Sequence, residues 1–141
     1  MSGLVLDCSV AVSWCFEDEA TPETDAILER VAAEGAVVPA LWHLELGNVL
    51  VQAERRKRLT AADTTTRLTL IADLPISTDD ETPARALREV LTLARAEALT
   101  TYDAAYLELA TRKGLPLATR DRALARAAER AGLQAFLSDP G

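Results

Sequence analysis

Four carboxylates stand where an apolar strand segment gives way to a turn or a helix. Asp7 directly follows Leu4-Val5-Leu6, and Glu45 lies one turn into the helical segment after Ala36-Val37-Val38. Asp103 opens a helical segment in Thr100-Thr101-Tyr102-Asp103, and Asp121 follows Leu115–Thr119 by way of Thr119-Arg120. In an open parallel sheet, ligands bind outside the carboxyl ends of the strands, so these positions converge on one edge. Carboxylates gathered there repel one another, which raises their pKa values and weakens the fold. A divalent cation relieves that repulsion, and an all-oxygen ligand set favours Mg²⁺ or Mn²⁺ over zinc. Such an ion, held with waters and phosphate oxygens, suits cleavage of a phosphodiester. On this reading Asp7 and Asp103 bind the metal. Asp121 and Glu45 bind a second ion or hold and deprotonate the attacking water. No covalent intermediate forms, and the products carry 5′-phosphate and 3′-hydroxyl ends.

Each residue also has a simpler account. Asp121 suits a helix cap, Asp103 suits a first-turn charge facing the helix dipole, and Glu45 suits a solvated helix surface. Asp7 resists such an account, because a carboxylate ending an apolar strand is costly to bury unpaired. Other acid-based chemistries fit less well. A phosphatase with an aspartyl nucleophile wants a second Asp where Ser9 stands. A phospho-accepting receiver wants an acidic pair near the first strand and a lysine at a late strand end, which Lys113 is not. Neither explains Glu45. His43 is the one histidine, and with Cys8 and Cys15 it cannot supply four zinc ligands. Both cysteines read as small, reduced core residues.

The elements that must position the quartet follow from pattern. The chain has 141 residues and reads as a single domain over 1–141. It is 49% hydrophobic but only 4% aromatic, so the core must be aliphatic. Strands are expected at Leu4–Leu6, Ala36–Val38 (broken by Pro39), weakly at Leu74–Ile76, at Leu115–Thr119 and at Gln134–Leu137. Helices are expected over Ser9–Phe16 and over Thr21–Glu34, with Thr21 as cap, Pro22 in the first turn and a stop at Gly35. Further helices are expected over Leu41–Arg58, from Thr60 with Leu68, Ile71 and Ala72 on one side, and from Thr82 with Leu87, Leu91, Ala94 and Ala98 aligned. The last two run over Thr101–Lys113 and Asp121–Ala131, ended by Gly114 and Gly132. Alternating strands and helices give an α/β fold with a mostly parallel sheet covered on both faces. No apolar run approaches a membrane span, and the N-terminus does not read as a signal peptide, so a cytoplasmic protein without membrane contact is expected. The net charge of −7 argues against a general affinity for nucleic acid. Cation-neutralised carboxylates and the local run Arg55-Arg56-Lys57-Arg58 answer that objection. Trp14, Phe16 and Trp42 read as core or dimer surface rather than base-stacking platforms.

Four segments resemble the PIN-domain nucleases, and among them the VapC-type toxins of bacterial toxin–antitoxin pairs. They are Leu4–Val10, Pro39–Leu50, Leu99–Ala110 and Leu117–Leu124, with Tyr-Asp-Ala-Ala-Tyr-Leu-Glu-Leu-Ala the most specific stretch. The resemblance covers nearly the whole chain, and the family's acidic quartet falls on Asp7, Glu45, Asp103 and Asp121. It implies supporting hydroxyls at Ser9 and Thr119 and a supporting amide at Asn48. It also implies a three-layer α/β/α fold with a central parallel sheet of four to five strands. The implied activity is a Mg²⁺-dependent endoribonuclease that slows translation. The implied partners are cellular RNA, a second copy in a homodimer, and a VapB-type antitoxin joining it in a heterotetramer or larger assembly. The rival expectation is a catalytically inactive module that keeps the fold for protein contacts.

Overall fold

The computed structural model describes residues 3–138. Five parallel strands, β1 (Leu4–Leu6), β2 (Ala36–Pro39), β3 (Ile76–Asp79), β4 (Leu117–Thr119) and β5 (Ala135–Leu137), form one sheet in the order β3-β2-β1-β4-β5. Helices cover both faces, which gives the three-layer α/β/α arrangement. β1 is the central strand, and Leu4, Val5 and Leu6 are completely buried. That is why it carries no polar alternation. The chain runs outward through β2 and β3, then crosses back to β4 on the other side of β1. The order therefore reverses between β1 and β4, and a crevice opens beyond their carboxyl ends.

The helices are α1 (Cys8–Ser13), α2 (Pro22–Glu34), α3 (Leu41–Arg55), α4 (Ala61–Ala72), α5 (Thr82–Arg85), α6 (Leu91–Glu97), α7 (Thr101–Lys113) and α8 (Arg122–Arg130). Local signals placed most ends. Thr21 and Thr24 form a reciprocal capping box with Pro22 behind it, and Gly35 and Gly114 stop α2 and α7 at positive φ. Cys8 and Cys15 are buried free thiols, and Phe16 and Trp42 are core residues, while Trp14 is half-buried and donates its indole N–H to Thr24 O. No helix among the described residues is long and apolar enough to cross a membrane.

Several expectations are corrected. β3 begins at Ile76 rather than Leu74, because Pro75 has no N–H to pair and its carbonyl instead accepts the Ala36 N–H. β2 keeps Pro39, opposite Asp79. Leu68, Ile71 and Ala72 do share one side of α4, where they line a recess with Trp42 and Leu46, although no residue of α4 is fully buried. The first helix spans Cys8–Ser13 rather than Ser9–Phe16. The expected line Leu87, Leu91, Ala94, Ala98 fails because Ala86–Val90 is a turn of π-helix joining α5 to α6. The extra residue rotates the face, so Val90 and Ala94 are buried while Leu87 is 84% exposed.

One buried ion network ties β3 to α7, the helix that carries Asp103. Arg112 Nη2 donates to Asp79 Oδ2 at 2.9 Å, and its Nε donates to Glu108 Oε2 at 3.0 Å. The Arg112 guanidinium holds the Asp79 carboxyl down at about 2, with Thr82 adding two hydrogen bonds. Among the described residues, removing the cation alone would leave the buried Asp79 carboxylate without a positive partner and Glu108 with only Arg85, at 3.5 Å. Arg112→Met is therefore expected to lower the unfolding free energy by about 3 kcal/mol in urea denaturation. A loss below about 1 kcal/mol would show that solvent already screens the network.

Candidate active site

Asp7 leaves β1 at the crevice between β1 and β4, with only 6% of its surface exposed. Two hydroxyls donate to the same oxygen, Oδ2: Thr119 Oγ1 at 2.6 Å and Ser9 Oγ at 2.7 Å. Each hydroxyl is itself an acceptor for the loop after β4. Thr119 Oγ1 takes the Asp121 N–H, and Ser9 Oγ takes the Arg120 N–H, both at 3.0 Å. With their lone pairs so engaged, both hydroxyls direct their protons at Asp7. The carboxylate is thereby fixed to both halves of the chain. Burial still dominates its titration. It pushes the Asp7 carboxyl above the ordinary range, the Thr119 and Ser9 bonds oppose it, and the Asp121 charge adds to the rise.

Asp121 caps α8, where its Oδ1 accepts the Ala123 N–H at 2.8 Å and the Leu124 N–H at 3.3 Å. The simple capping account thus holds for it, and the cap keeps its charge beside Asp7. Asp103 sits half-buried in the first turn of α7. Burial raises its carboxyl first, and then Asp7 and Asp121 raise it further. A first-turn charge that merely complemented the helix dipole would be lowered instead. Glu45, on α3, is raised by burial and by the charges of Asp7 and Asp103, against a hydrogen bond from Tyr106. Asp7 thus acts on both Glu45 and Asp103, Asp103 acts on Glu45, and Asp121 acts on both Asp7 and Asp103.

Sequence reasoning missed two participants. Tyr106 is fully buried on α7 and donates its phenol to Glu45 Oε1 at 2.5 Å, which fixes the Glu45 side chain across 61 residues of chain. Arg120 sits between Thr119 and Asp121 and pairs through Nη1 with Glu19 Oε1 at 2.9 Å. Tyr106 falls inside the Tyr-Asp-Ala-Ala-Tyr stretch but signals no partner there, and Arg120 carried no signal beyond its place in the loop. Asn48 is exposed and lines a separate recess with Phe16, Gln52 and Arg58.

The donor chemistry fits a hard divalent cation. The four groups offer oxygen only, and three of them are destabilised as anions by burial and by one another, so a nearby positive ion would relieve both effects. Among the described residues, no trio of His, Cys, Asp or Glu is drawn in tightly enough to hold an ion as it stands.

Comparison with known proteins bears on the fold and the family. No curated protein matches the chain. The solved structure of PAE2754 from Pyrobaculum aerophilum is similar at 25% identity, with a TM-score of 0.70 over 96% of this chain and 84% of that one. The fold is shared with FitAcB from Neisseria gonorrhoeae at 20% identity and a TM-score of 0.57, over 94% of this chain and 96% of that one. The model of the PIN domain family matches residues 4–130. That span runs from β1 to the end of α8 and takes in all four carboxylates at the rim of the β1–β4 crevice, so the chain belongs to the PIN domain family, whose members are generally nucleases.

Proposed function

We propose that this protein is a Mg²⁺-dependent endoribonuclease of the VapC toxin type, with Mn²⁺ able to substitute. It cuts cellular RNA in the cytoplasm and slows translation. It acts as a homodimer and is neutralised by a VapB-type antitoxin, which joins it in a heterotetramer or larger assembly. The observation that carries the reading is Asp7: a buried, pKa-raised carboxylate at the strand-order reversal, held by two hydroxyls and pressed by neighbouring carboxylates.

Asp7 and Asp103 would be the principal metal ligands, with Glu45 and Asp121 beside them. When bound, the ion supplies positive charge at the phosphate oxygens and at the departing sugar oxygen. The protein's own groups do the rest. Ser9 and Thr119 keep Asp7 from rotating away. Tyr106 occupies Glu45 Oε1, which leaves Oε2 to accept a proton from the attacking water, and the raised pKa of Glu45 suits that transfer. Asp121 orders the loop that presents Thr119. A water nucleophile leaves 5′-phosphate and 3′-hydroxyl ends.

The test is to map RNA ends after induced expression and with purified protein. Cuts with 5′-phosphate ends, made with Mg²⁺ and absent in EDTA, are expected. Cyclic phosphate ends, or cleavage that persists in EDTA, would overturn the mechanism. Intact RNA under every condition would leave a protein-interaction module instead.

A further inference from the structure

The basic run at the end of α3 and the aromatic Phe16 take no part in the chemistry above, yet the fold brings both to the side of the acidic crevice. Two residues beyond α3, Lys57 takes the left-handed conformation, at φ 61. The Lys57 N–H returns to Glu54 O, and the Arg58 N–H returns to Ala53 O. This reversal lays the Arg58 guanidinium 4.0 Å over the centre of the Phe16 ring. Asn48, Gln52, Arg56, Arg58 and Phe16 line a recess of about 240 Å³. Its Asn48 end lies three residues along α3 from Glu45, on the same helix face.

A second arginine approaches from the other side. Arg120 donates to Glu19 Oε1 at 2.9 Å, and Arg58 donates to Glu19 Oε2 at 3.1 Å. Two guanidinium groups thus converge on the two oxygens of one internal carboxylate. Arg120 is only 14% exposed, and among the described residues its Nε–H is buried without a partner. Arg58 also meets Asp18 at 3.0 Å, and its side chain stays 44% exposed. The Arg120 backbone N–H is joined to Asp7 through Ser9 Oγ, so the Arg120 main chain lies two hydrogen bonds from the central carboxylate.

We propose that this recess binds a nucleotide of the single-stranded RNA next to the cleaved position, with Arg58 and Arg120 gripping its phosphate and Asn48 and Gln52 facing its base. The inference rests on the RNA-cleaving reading of the carboxylate cluster. Two guanidinium forks meeting on neighbouring oxygens suit a phosphate as well as a carboxylate. A guanidinium held over an aromatic ring can offer a base a stacking surface. Glu19 is then a stand-in anion that keeps the two arginines ordered until the strand displaces it. The site also answers the charge problem: a chain of net charge −7 meets its polyanion through one local basic clamp.

Binding is read with Asp7→Asn protein in EDTA, so that no cleavage intervenes. The probe is a short fluorescein-labelled oligouridine, titrated by anisotropy at several salt concentrations. Arg58→Gln and Arg120→Gln are each expected to weaken binding about tenfold. Each should also lower the slope of log affinity against log salt by about 0.7. Asn48→Ala should weaken binding with the slope unchanged, because it removes no charge. Glu19→Gln should tighten binding, because it frees both arginines. Lys113→Gln, at the far end of α7, makes the same net charge change as the arginine variants and should alter nothing. A merely structural role for the arginines predicts neither the slope change nor the opposite sign at Glu19. If Arg120→Gln fails to fold, Arg58→Gln and Asn48→Ala, both on the surface, still decide the matter. Arginine variants that bind like Lys113→Gln, or a Glu19→Gln protein that binds no tighter, would overturn the subsite while leaving the cleavage reading intact. Binding that follows the recess variants in a protein whose wild-type form cuts no RNA would overturn the cleavage reading alone.

Discussion

Asp7→Asn should abolish RNA cleavage and, in EDTA, raise the melting temperature. The two halves of this result have one cause. Burial and the neighbouring Asp121 charge both work against the Asp7 anion, so holding that anion in the folded protein costs stability. Asparagine keeps an oxygen to accept the Ser9 and Thr119 hydroxyls and discards the charge. The same change removes the anion on which metal binding is proposed to centre. Loss of at least about a thousandfold in rate, equivalent to roughly 4 kcal/mol of transition-state stabilisation, is expected. Cleavage of labelled RNA and thermal melting, measured on one preparation, check both. Cleavage at the normal rate would remove Asp7 from the mechanism. A fall of several degrees in melting temperature would make it a structural carboxylate instead.

Adding Mg²⁺ at neutral pH should stabilise the fold, by about 2.7 kcal/mol at a hundred times its dissociation constant. Mild acid should imitate part of that effect without metal. The folded-state pKa values of Asp7, Glu45 and Asp103 lie above their ordinary 3.8, 4.5 and 3.8. The folded protein therefore holds protons that the unfolded chain has released. The contribution of these groups is fullest below the ordinary values and is lost as pH rises through the raised ones. Asp79 works in the opposite sense. Its pKa is lowered from 3.8 to about 2, so its contribution is present above 3.8 and is lost as pH falls from there toward about 2. In EDTA, stability should thus peak in mild acid and decline toward neutrality, and Mg²⁺ should remove that decline. Melting curves across pH, with and without Mg²⁺, are the measurement. A metal-free protein that gains no stability as pH falls from neutrality toward the ordinary carboxylate range, or one indifferent to Mg²⁺, would contradict the crowding of charge on which the candidate site depends.

The residues around the site explain how far a linear reading reaches. Strand β1 was legible because a central parallel strand is apolar on both faces, and Asp7 stood out as the polar residue that ends it. The caps of α2 and α8 and the glycine stops were legible because such bonds span three to five residues. β3 was harder to place, since an edge strand carrying Ser77 and Thr78 lacks the apolar run that marks a buried one. The helical periodicity after Thr82 misled, because a single π turn shifts the phase of every later side chain without altering composition.

By itself, the sequence determined the α/β class, most element boundaries and the placing of four carboxylates at the carboxyl edge of the sheet. Those follow from periodicity and capping, which act between near neighbours. Only the tertiary structure decided that Tyr106 would hold Glu45, that Arg112 would bind Asp79 and Glu108 together, and that Arg58 and Arg120 would share Glu19. The Glu45–Tyr106, Asp79–Arg112 and Glu19–Arg120 contacts span 61, 33 and 101 residues. Partners of that kind are chosen by the order in which strands assemble and by which helix faces are left to meet, and neither is encoded in any one segment.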